Sequence, residues 1–261
     1  MSSNKLVKIP LIFKKIEECN LSIIFELQPD KYEVELFIVG GTVRDALLNL
    51  SKNLFDLDIM VNPAEATLMI TNKISDLING SFFPLDEERQ IYRIIKKGCQ
   101  LDITGIRGET LIDDMFHRDF SIDALSIAFD VLKDSFNSGR DEVYISDFFG
   151  GIEDLQKRLI RAHNPESFRE DPSRILRAFR LMSEIDGKID EYTLSEIVES
   201  KTLLKTVAKE RIRDEFFKIL NNSNSSKIVN KLHAMGILSE FFPFIEWFNE
   251  IDKEYPEYVD L

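Results

Sequence analysis

Two aspartates two positions apart, Asp56 and Asp58, are the residues of this chain best suited to chemistry. They lie in a short segment of strand-forming residues. Because side chains on a strand alternate between its faces, both carboxylates project from the same side of the predicted sheet. Two carboxylates held this close repel each other unless a cation lies between them. Mg²⁺ is the expected occupant, because it binds a few carboxylate oxygens together with the phosphates of a substrate.

A pair of glycines precedes the aspartates and predicts an anion-binding turn. Gly40 and Gly41 end an apolar, strand-like run and begin a helix-like segment, where exposed backbone N–H groups can hold phosphate oxygens. Arg44 falls in the first turn of that helix and can reach the same phosphates. Taken alone, either fragment would be an ordinary turn or strand edge. Their order and spacing together predict a nucleoside triphosphate as the ligand.

Two later segments carry polar residues that suit the same ligand. Asp102 lies in a strand expected to neighbour the Asp56 strand. It could deprotonate an attacking hydroxyl, complete the metal shell or be a plain surface residue. Arg118 and Asp119 precede an apolar segment. Arg118 could meet a phosphate and Asp119 a ribose hydroxyl, or the two could form a surface ion pair of little energetic worth.

A helix-like segment near residue 171 combines an acid with several arginines. Pro172 suits a first helical turn, so the helix is expected to begin near Asp171. Arg174 is three residues after Asp171, and Arg177 and Arg180 continue at the same spacing down one side. A carboxylate acceptor beside a planar guanidinium donor can read the hydrogen-bonding edge of a nucleobase. Apolar residues on the opposite face of the helix can pack in the core. The same helix could therefore read a nucleobase with one face and pack with the other.

Charge and hydropathy narrow the class of protein. The 261 residues are 44% hydrophobic and carry a formal net charge of −13, which suits one large core or two modest ones. No apolar run approaches the length of a membrane span, and the first residues lack a signal pattern. We therefore expect a soluble, cytoplasmic protein without a membrane partner. The acidic charge argues against indiscriminate coating of nucleic acid. A local basic excess over residues 157–180 is either a contact for a polyanion or a solvated helix face.

The metal-binding and thiol residues are scattered. Cys19 and Cys99 are far apart in the chain and lack metal-ligand spacing, so we expect reduced, structural thiols. The three histidines, His117, His163 and His233, are equally dispersed and do not predict a zinc site.

The pattern of strands and helices predicts an α+β fold in two domains, 1–164 and 165–261. The first domain mixes both element types, whereas strand signals end at Asn164-Pro165 and amphipathic helices follow. Predicted strands lie at 37–39, 57–61, 81–85, 90–96, 101–104 and 143–146. Predicted helices lie at 10–20, 42–49, 63–78, 168–182, 191–199, 207–220 and 225–235.

The motifs, in their order, resemble those of the class II tRNA nucleotidyltransferases, the family of CCA-adding enzymes and poly(A) polymerases. The resemblance runs from about residue 36 to 242 and rests on five segments, at 40–45, 56–58, 118–122, 170–180 and 210–216. It implies a nucleotidyltransferase head of the polymerase-β-like type, built on a mixed sheet. An all-α neck and partial body would follow the head.

The resemblance also implies roles for individual residues. Asp56 and Asp58 would bind Mg²⁺, and the Asp171–Arg174 pair would select CTP and ATP by imitating base pairing. The incoming nucleotide would contact Arg118 and Asp119, and its phosphates would contact the Gly40–Gly41 turn and Arg44, while Glu210 and Arg211 would brace the neck.

The expected activity is metal-dependent addition of nucleotides to the 3′ end of tRNA. Two alternatives stay open: transfer to another RNA or a small molecule, and a catalytically silent RNA-binding relic. The joint presence of Asp56, Asp58, Asp102 and Arg174 argues against the relic.

The sequence departs from the family pattern at three places, and the third of them, a short segment, favours CC addition over full CCA addition. His117 replaces an arginine and Asp123 replaces an asparagine of the family motif, and only nine residues separate Arg107 from His117. Members of the family that add the terminal A carry a longer, flexible loop there, whereas this segment resembles a packed turn. The resemblance also ends before much of the family's body and tRNA-gripping tail. Weak tRNA binding is therefore expected, and the net charge of −13 should make that binding strongly salt-sensitive.

Overall fold

The computed structural model describes residues 3–50, 54–96, 98–242 and 244. The chain divides into two compact units, the first ending at Leu155 and the second beginning at Gln156. The first unit mixes strands and helices, and the second is predominantly helical. This layout confirms the predicted α+β class, while the domain boundary at residue 164 stays a prediction.

An eight-stranded mixed sheet organises the first unit. Its strand order is β1-β8-β7-β2-β3-β6-β5-β4. Only β3 and β6 pair in parallel in this sheet, as far as the structure describes it. A separate parallel pair, β9 with β10, lies in the second unit. The strands are β1 (Ser3–Lys8), β2 (Glu35–Val39), β3 (Phe55–Asn62), β4 (Ser81–Asp86), β5 (Ile91–Lys96), β6 (Cys99–Gly105), β7 (Leu125–Ala128), β8 (Glu142–Asp147), β9 (Leu159–Ile160) and β10 (Lys188–Ile189).

Twelve α-helices lie within the described residues. They are α1 (Pro10–Glu18), α2 (Gly41–Leu47), α3 (Thr67–Ile78), α4 (Leu111–Phe116), α5 (Phe129–Asn137), α6 (Gly151–Gln156), α7 (Ser167–Glu170), α8 (Arg174–Glu184), α9 (Glu191–Ser200), α10 (Lys209–Leu220), α11 (Ser225–Ala234) and α12 (Leu238–Phe241). Helix α3 packs on β4, β5 and β6, and α5 on β2, β7 and β8. None of these helices has the length and apolar character that a membrane crossing requires.

Strands and helices depart from the sequence-based assignment in several places. The expected absence of strands after residue 165 is wrong, because β10 lies there. The single helix expected at 168–182 is also wrong, because it is interrupted between α7 and α8. Asp171 has an extended backbone, with φ −148° and ψ 94°. The residue before a proline avoids the helical region, and Asp171 precedes Pro172. The other elements that were not predicted are the strands β1, β7 and β9 and the helices α4, α5, α6 and α12.

The two cysteines are joined, which corrects the expectation of free thiols. A disulfide links Cys19, at the end of α1, to Cys99, at the start of β6, with a Cα–Cα distance of 6.2 Å. A hydrogen bond from Lys96 Nζ to the carbonyl of Asn20 (2.8 Å) ties the same two segments together. The sequence could not show this proximity, because 80 positions separate the cysteines and only packing brings them together.

Reduction of this disulfide is expected to lower the free energy of unfolding of the first unit by about 2–4 kcal/mol. The link closes a long loop and so restricts the unfolded chain. Urea unfolding with and without dithiothreitol measures the effect. The chain has no third cysteine, so Cys19→Ser should not respond to reductant. Equal midpoints for the reduced and oxidised wild-type protein would contradict the prediction.

Candidate active site

Three carboxylates converge on one face of the larger sheet. Ligand oxygens of Asp56, Asp58 and Asp102 all lie within 4.8 Å of one another. The parallel pairing of β3 with β6 places Asp58 directly beside Asp102. Along β3 the aspartates alternate with Leu57 and Ile59, which are fully buried on the other face. The two-residue period predicted from the sequence is confirmed, as is the neighbouring position of Asp102.

An arginine on the neighbouring strand binds both oxygens of the third carboxylate, Asp102. Arg93 on β5 donates from Nε to Oδ1 of Asp102 (2.7 Å) and from Nη2 to Oδ2 (2.6 Å). Such bidentate pairs are strong and fix orientation. The hydrogen bonds to Asp102 raise the pKa of Arg93 above its ordinary value although burial opposes this, so the guanidinium stays charged. A further hydrogen bond, from Gln100 Nε2 to Asp56 Oδ1 (2.9 Å), fixes a second carboxylate of the cluster.

The glycine pair brings the backbone against this cluster. Gly40 has φ +63°, a value that favours glycine. A Cβ at Gly40 would lie 2.8 Å from Nη1 of Arg118 and 3.6 Å from Oδ2 of Asp58. A Cβ at Gly41 would also lie 3.6 Å from that oxygen. The turn therefore needs glycine at Gly40, because a side chain there would collide with Arg118.

Thr42 fastens the turn to strand β3. Its hydroxyl donates to the carbonyl of Asp56 (3.0 Å) and accepts from the backbone N–H of Asp58 (2.8 Å). The helix that starts at Gly41 is thus tied to both aspartates through one buried side chain. Sequence reasoning missed Thr42 and Arg93. A polar residue just after the glycines was a signal for Thr42, whereas nothing local indicated Arg93.

Arg44 and Arg118 both lie near the turn and both contact acids of the protein. Arg44 is buried and donates from Nη1 to Asp123 and from Nε to Asp45 (2.9 Å). Arg118 donates from Nε to Asp114 Oδ2 (3.0 Å). Asp119 accepts from the backbone N–H of Phe120 (3.1 Å). Asp123 therefore adds a negative charge that forms a buried ion pair with Arg44, where an amide could only accept a hydrogen bond.

The short segment between Arg107 and His117 is a helix with a defined start. Thr110 accepts from the backbone of Asp113, whose side chain accepts from the backbone of Thr110, forming a capping box at α4. Met115 is fully buried in an apolar cluster with Val39, Met60, Ile106 and Ala124. This packing confirms that the segment is compact, although it is helical rather than a turn.

In the second unit, Asp171 and Arg174 flank the break between α7 and α8. Asp171 accepts from Nη2 of Arg211 (2.6 Å) and from the hydroxyl of Ser173 (2.6 Å). Burial raises the pKa of the Asp171 carboxyl, but the hydrogen bonds from Arg211 and Ser173 outweigh it and hold that pKa below its ordinary value. Arg174 donates from Nη1 to the Ser167 hydroxyl (3.0 Å) and lies 3.6 Å from Glu170.

The arginines that follow do not form one exposed stripe. Arg180 is buried, donates to Glu215 (2.8 Å) and to Glu184 (2.5 Å), and so joins α8 to α10. Arg174 is buried as well, whereas Arg177 is half-exposed. Of the basic residues over 157–180, Arg174 and Arg180 therefore lie inside the helical unit, whereas Lys157, Arg158 and Arg169 are exposed. Arg211, at the start of α10, donates to Asp171 just before α8 and so links these two segments.

Comparison with known proteins accounts for the order of these features. A family model described as "Poly A polymerase head domain" matches residues 36–161, and one described as "Probable RNA and SrmB- binding site of polymerase A" matches residues 188–248. The chain belongs to this family of poly(A) polymerases and CCA-adding nucleotidyltransferases. The predicted resemblance is thereby confirmed. Within such a family, the cluster of three carboxylates indicates a divalent-cation site.

Individual relatives carry related names. A CC-adding tRNA nucleotidyltransferase of Geobacter sulfurreducens is 39% identical over 208 residues, which are 79% of this chain and 45% of the relative. A CCA-adding enzyme of Limosilactobacillus reuteri is 32% identical over 256 residues, covering 93% and 58%. The solved Thermotoga maritima CCA-adding enzyme complexed with tRNA superimposes with a TM-score of 0.74 at 27% identity, covering 91% and 56%. The chain thus spans about half the length of the relatives it matches.

Proposed function

We propose that the protein transfers CMP from CTP to the 3′ end of tRNA, adding two cytidines and releasing pyrophosphate. One observation carries the proposal: Asp56, Asp58 and Asp102 meet beside the Gly40–Gly41 turn. That arrangement places a candidate cation site beside a turn whose backbone closely approaches Arg118 and Asp58. The similarity to proteins named as CC-adding and CCA-adding enzymes supports tRNA as the substrate.

The carboxylate cluster suits a divalent cation, and we propose Mg²⁺. Its oxygens are hard donors at close mutual distances, which is the chemistry that Mg²⁺ prefers. When bound, the cation would supply Lewis-acid stabilisation of the phosphate oxygens. Asp56 and Asp58 would hold it, and Arg93 would keep Asp102 in place on the neighbouring strand. Because Arg93 occupies both oxygens of Asp102, that carboxylate suits a positioning or metal-shell role better than proton abstraction.

The nucleotide would be held by the glycine turn and by the arginine side chains near it. We propose that the backbone N–H of Gly41 binds the triphosphate together with Arg118 and Arg44, while the N–H of Gly40 donates to the carbonyl of Leu125 (3.2 Å). Asp119 would accept from the ribose. In the second unit, Asp171 and Arg174 would read the base edge, and Arg177 and Arg180 would support that helix, Arg180 through its buried ion pairs.

Addition of CC rather than CCA is supported by α4. To accept ATP after two cytidines, the pocket must change its hydrogen-bonding pattern. The capping box and the burial of Met115 hold this segment in a single packed arrangement. A segment anchored in an apolar core resists movement, so it is poorly suited to change the hydrogen-bonding pattern of the pocket.

With CTP alone, the protein is expected to extend a tRNA lacking its CCA end by two cytidines and then stall. Adding ATP should give no further extension. Sequencing of the product 3′ ends with each nucleotide alone and with CTP and ATP together measures this. Efficient incorporation of the terminal A would overturn the CC-only proposal. Absence of transfer from any nucleotide would overturn the nucleotidyltransferase proposal itself.

A further inference from the structure

The strand register aligns four side chains in one row across the sheet. Asp58 on β3 lies beside Asp102 on β6, Asp102 lies opposite Arg93 on β5, and Arg93 lies opposite Phe83 on β4. Residues paired in this way share a face of the sheet. The row therefore runs outward from the carboxylate cluster to the edge strand β4 on a single surface.

The outer part of this row is apolar and open to solvent. Phe83 is 43% exposed, and Ile95, two positions from Arg93 on the same face of β5, is 50% exposed. On the opposite face Ile94 is fully buried, and Phe82 contacts Tyr92 edge-to-face. We call Phe83, Arg93 and Ile95 the outer platform. An exposed aromatic ring beside an arginine is the usual composition of a surface that stacks nucleobases.

The in-line geometry of phosphoryl transfer indicates which of the two substrates would lie on the outer platform. Attacking and leaving oxygens lie roughly in line across the reacting phosphorus. The glycine turn lies next to Asp58 and Arg118, so the triphosphate and its leaving pyrophosphate would occupy that end of the row. The attacking 3′-hydroxyl must then approach from the opposite end, which is the side of Asp102, Arg93 and Phe83.

We infer that the outer platform binds the 3′-terminal nucleotides of the RNA primer, with a base stacked on Phe83 and a phosphate at Arg93. This inference rests on the proposed nucleotidyl transfer. Two strand spacings separate Asp102 from Phe83, about 10 Å, which is within reach of the last nucleotides of a strand whose end lies at the carboxylates. Arg93 is 29% exposed. Within the part of the chain that the structure describes, its Nη1 makes no hydrogen bond, so it can donate to a phosphate while Asp102 keeps the other two nitrogens.

The test is the affinity of Phe83 variants for primer RNA. Phe83→Ser should raise the KM for tRNA lacking its CCA end about 5- to 150-fold, the range for loss of one base–aromatic stack. The Kd for CTP should not change, and Phe83→Tyr, which keeps a ring, should behave like wild type. Leu68→Ser is the matched control, because Leu68 is 46% exposed on α3, which packs against the same strands. Fluorescence anisotropy with a labelled primer gives a readout that does not depend on turnover.

The outcomes separate this inference from the proposed function. Equal primer affinity in Phe83→Ser and Leu68→Ser, with wild-type transfer intact, overturns the platform alone. Wild-type protein that transfers no nucleotide overturns the proposed function, and the platform with it. A dimer seen by sedimentation that dissociates in Phe83→Ser, with primer affinity unchanged, would assign the surface to a second copy of the chain and overturn the inference.

Discussion

Asp58→Asn is expected to lower the rate of nucleotide transfer by about 1,000-fold or more, because it removes several kcal/mol of metal-based stabilisation. The amide has the size of the carboxylate, but it loses the negative charge that would hold the cation. Asp58 also lies directly beside Asp102 on the neighbouring strand. Relief of repulsion between these acids should leave the free energy of unfolding equal to or slightly above the wild-type value. Single-turnover incorporation of CMP measures the loss, and urea unfolding measures the stability.

A control variant distinguishes the loss of this carboxylate from a general effect of removing one negative charge. Glu88→Gln removes one exposed negative charge from the same unit, at the turn after β4, and should retain wild-type transfer. Titration with Mg²⁺ followed by calorimetry should show weaker binding in Asp58→Asn and no change in Glu88→Gln. Wild-type turnover in Asp58→Asn would remove the carboxylate cluster from the proposed mechanism.

Asp171→Ala is expected to reduce discrimination of CTP against UTP about 10- to 150-fold, because a hydrogen bond to a charged group is worth roughly 1.5–3 kcal/mol. The lowered pKa of Asp171 keeps it a carboxylate at neutral pH, and hence a hydrogen-bond acceptor. Its loss should change the ratio of kcat/KM values for the two nucleotides more than it changes kcat for CTP. Steady-state kinetics with both nucleotides gives this ratio.

Arg211 provides the control for a purely structural effect. Asp171 accepts a hydrogen bond from Arg211, so Asp171→Ala also breaks the brace between α8 and α10. Arg211→Ala breaks the same brace and leaves the carboxylate in place. Since Arg211 is exposed, this pair contributes little to stability. We expect Arg211→Ala to retain most of the discrimination. An equal loss in both variants would show that the helix is merely structural.

Local patterns accounted for the central strand and the glycine turn. The alternation of Asp56 and Asp58 with buried residues is a two-residue period, which is complete within five positions of the chain. Gly40 adopts a positive φ that its residue type makes accessible. The five motifs, in order, were also sufficient for the family, since their spacing is a property of the chain and does not require coordinates.

The partners of these residues depended on the tertiary structure. Arg93 meets Asp102 because β5 and β6 pair in one particular register, and a register shift of one residue would turn Arg93 to the other face. Asp123 meets Arg44 across 79 positions, and Cys19 meets Cys99 across 80. The sequence by itself determined which residues could do chemistry and on which face of their own strand they lie, because those properties repeat over a few residues. Only the folded structure decided which charges neutralise one another, since that depends on strand register and packing between distant segments.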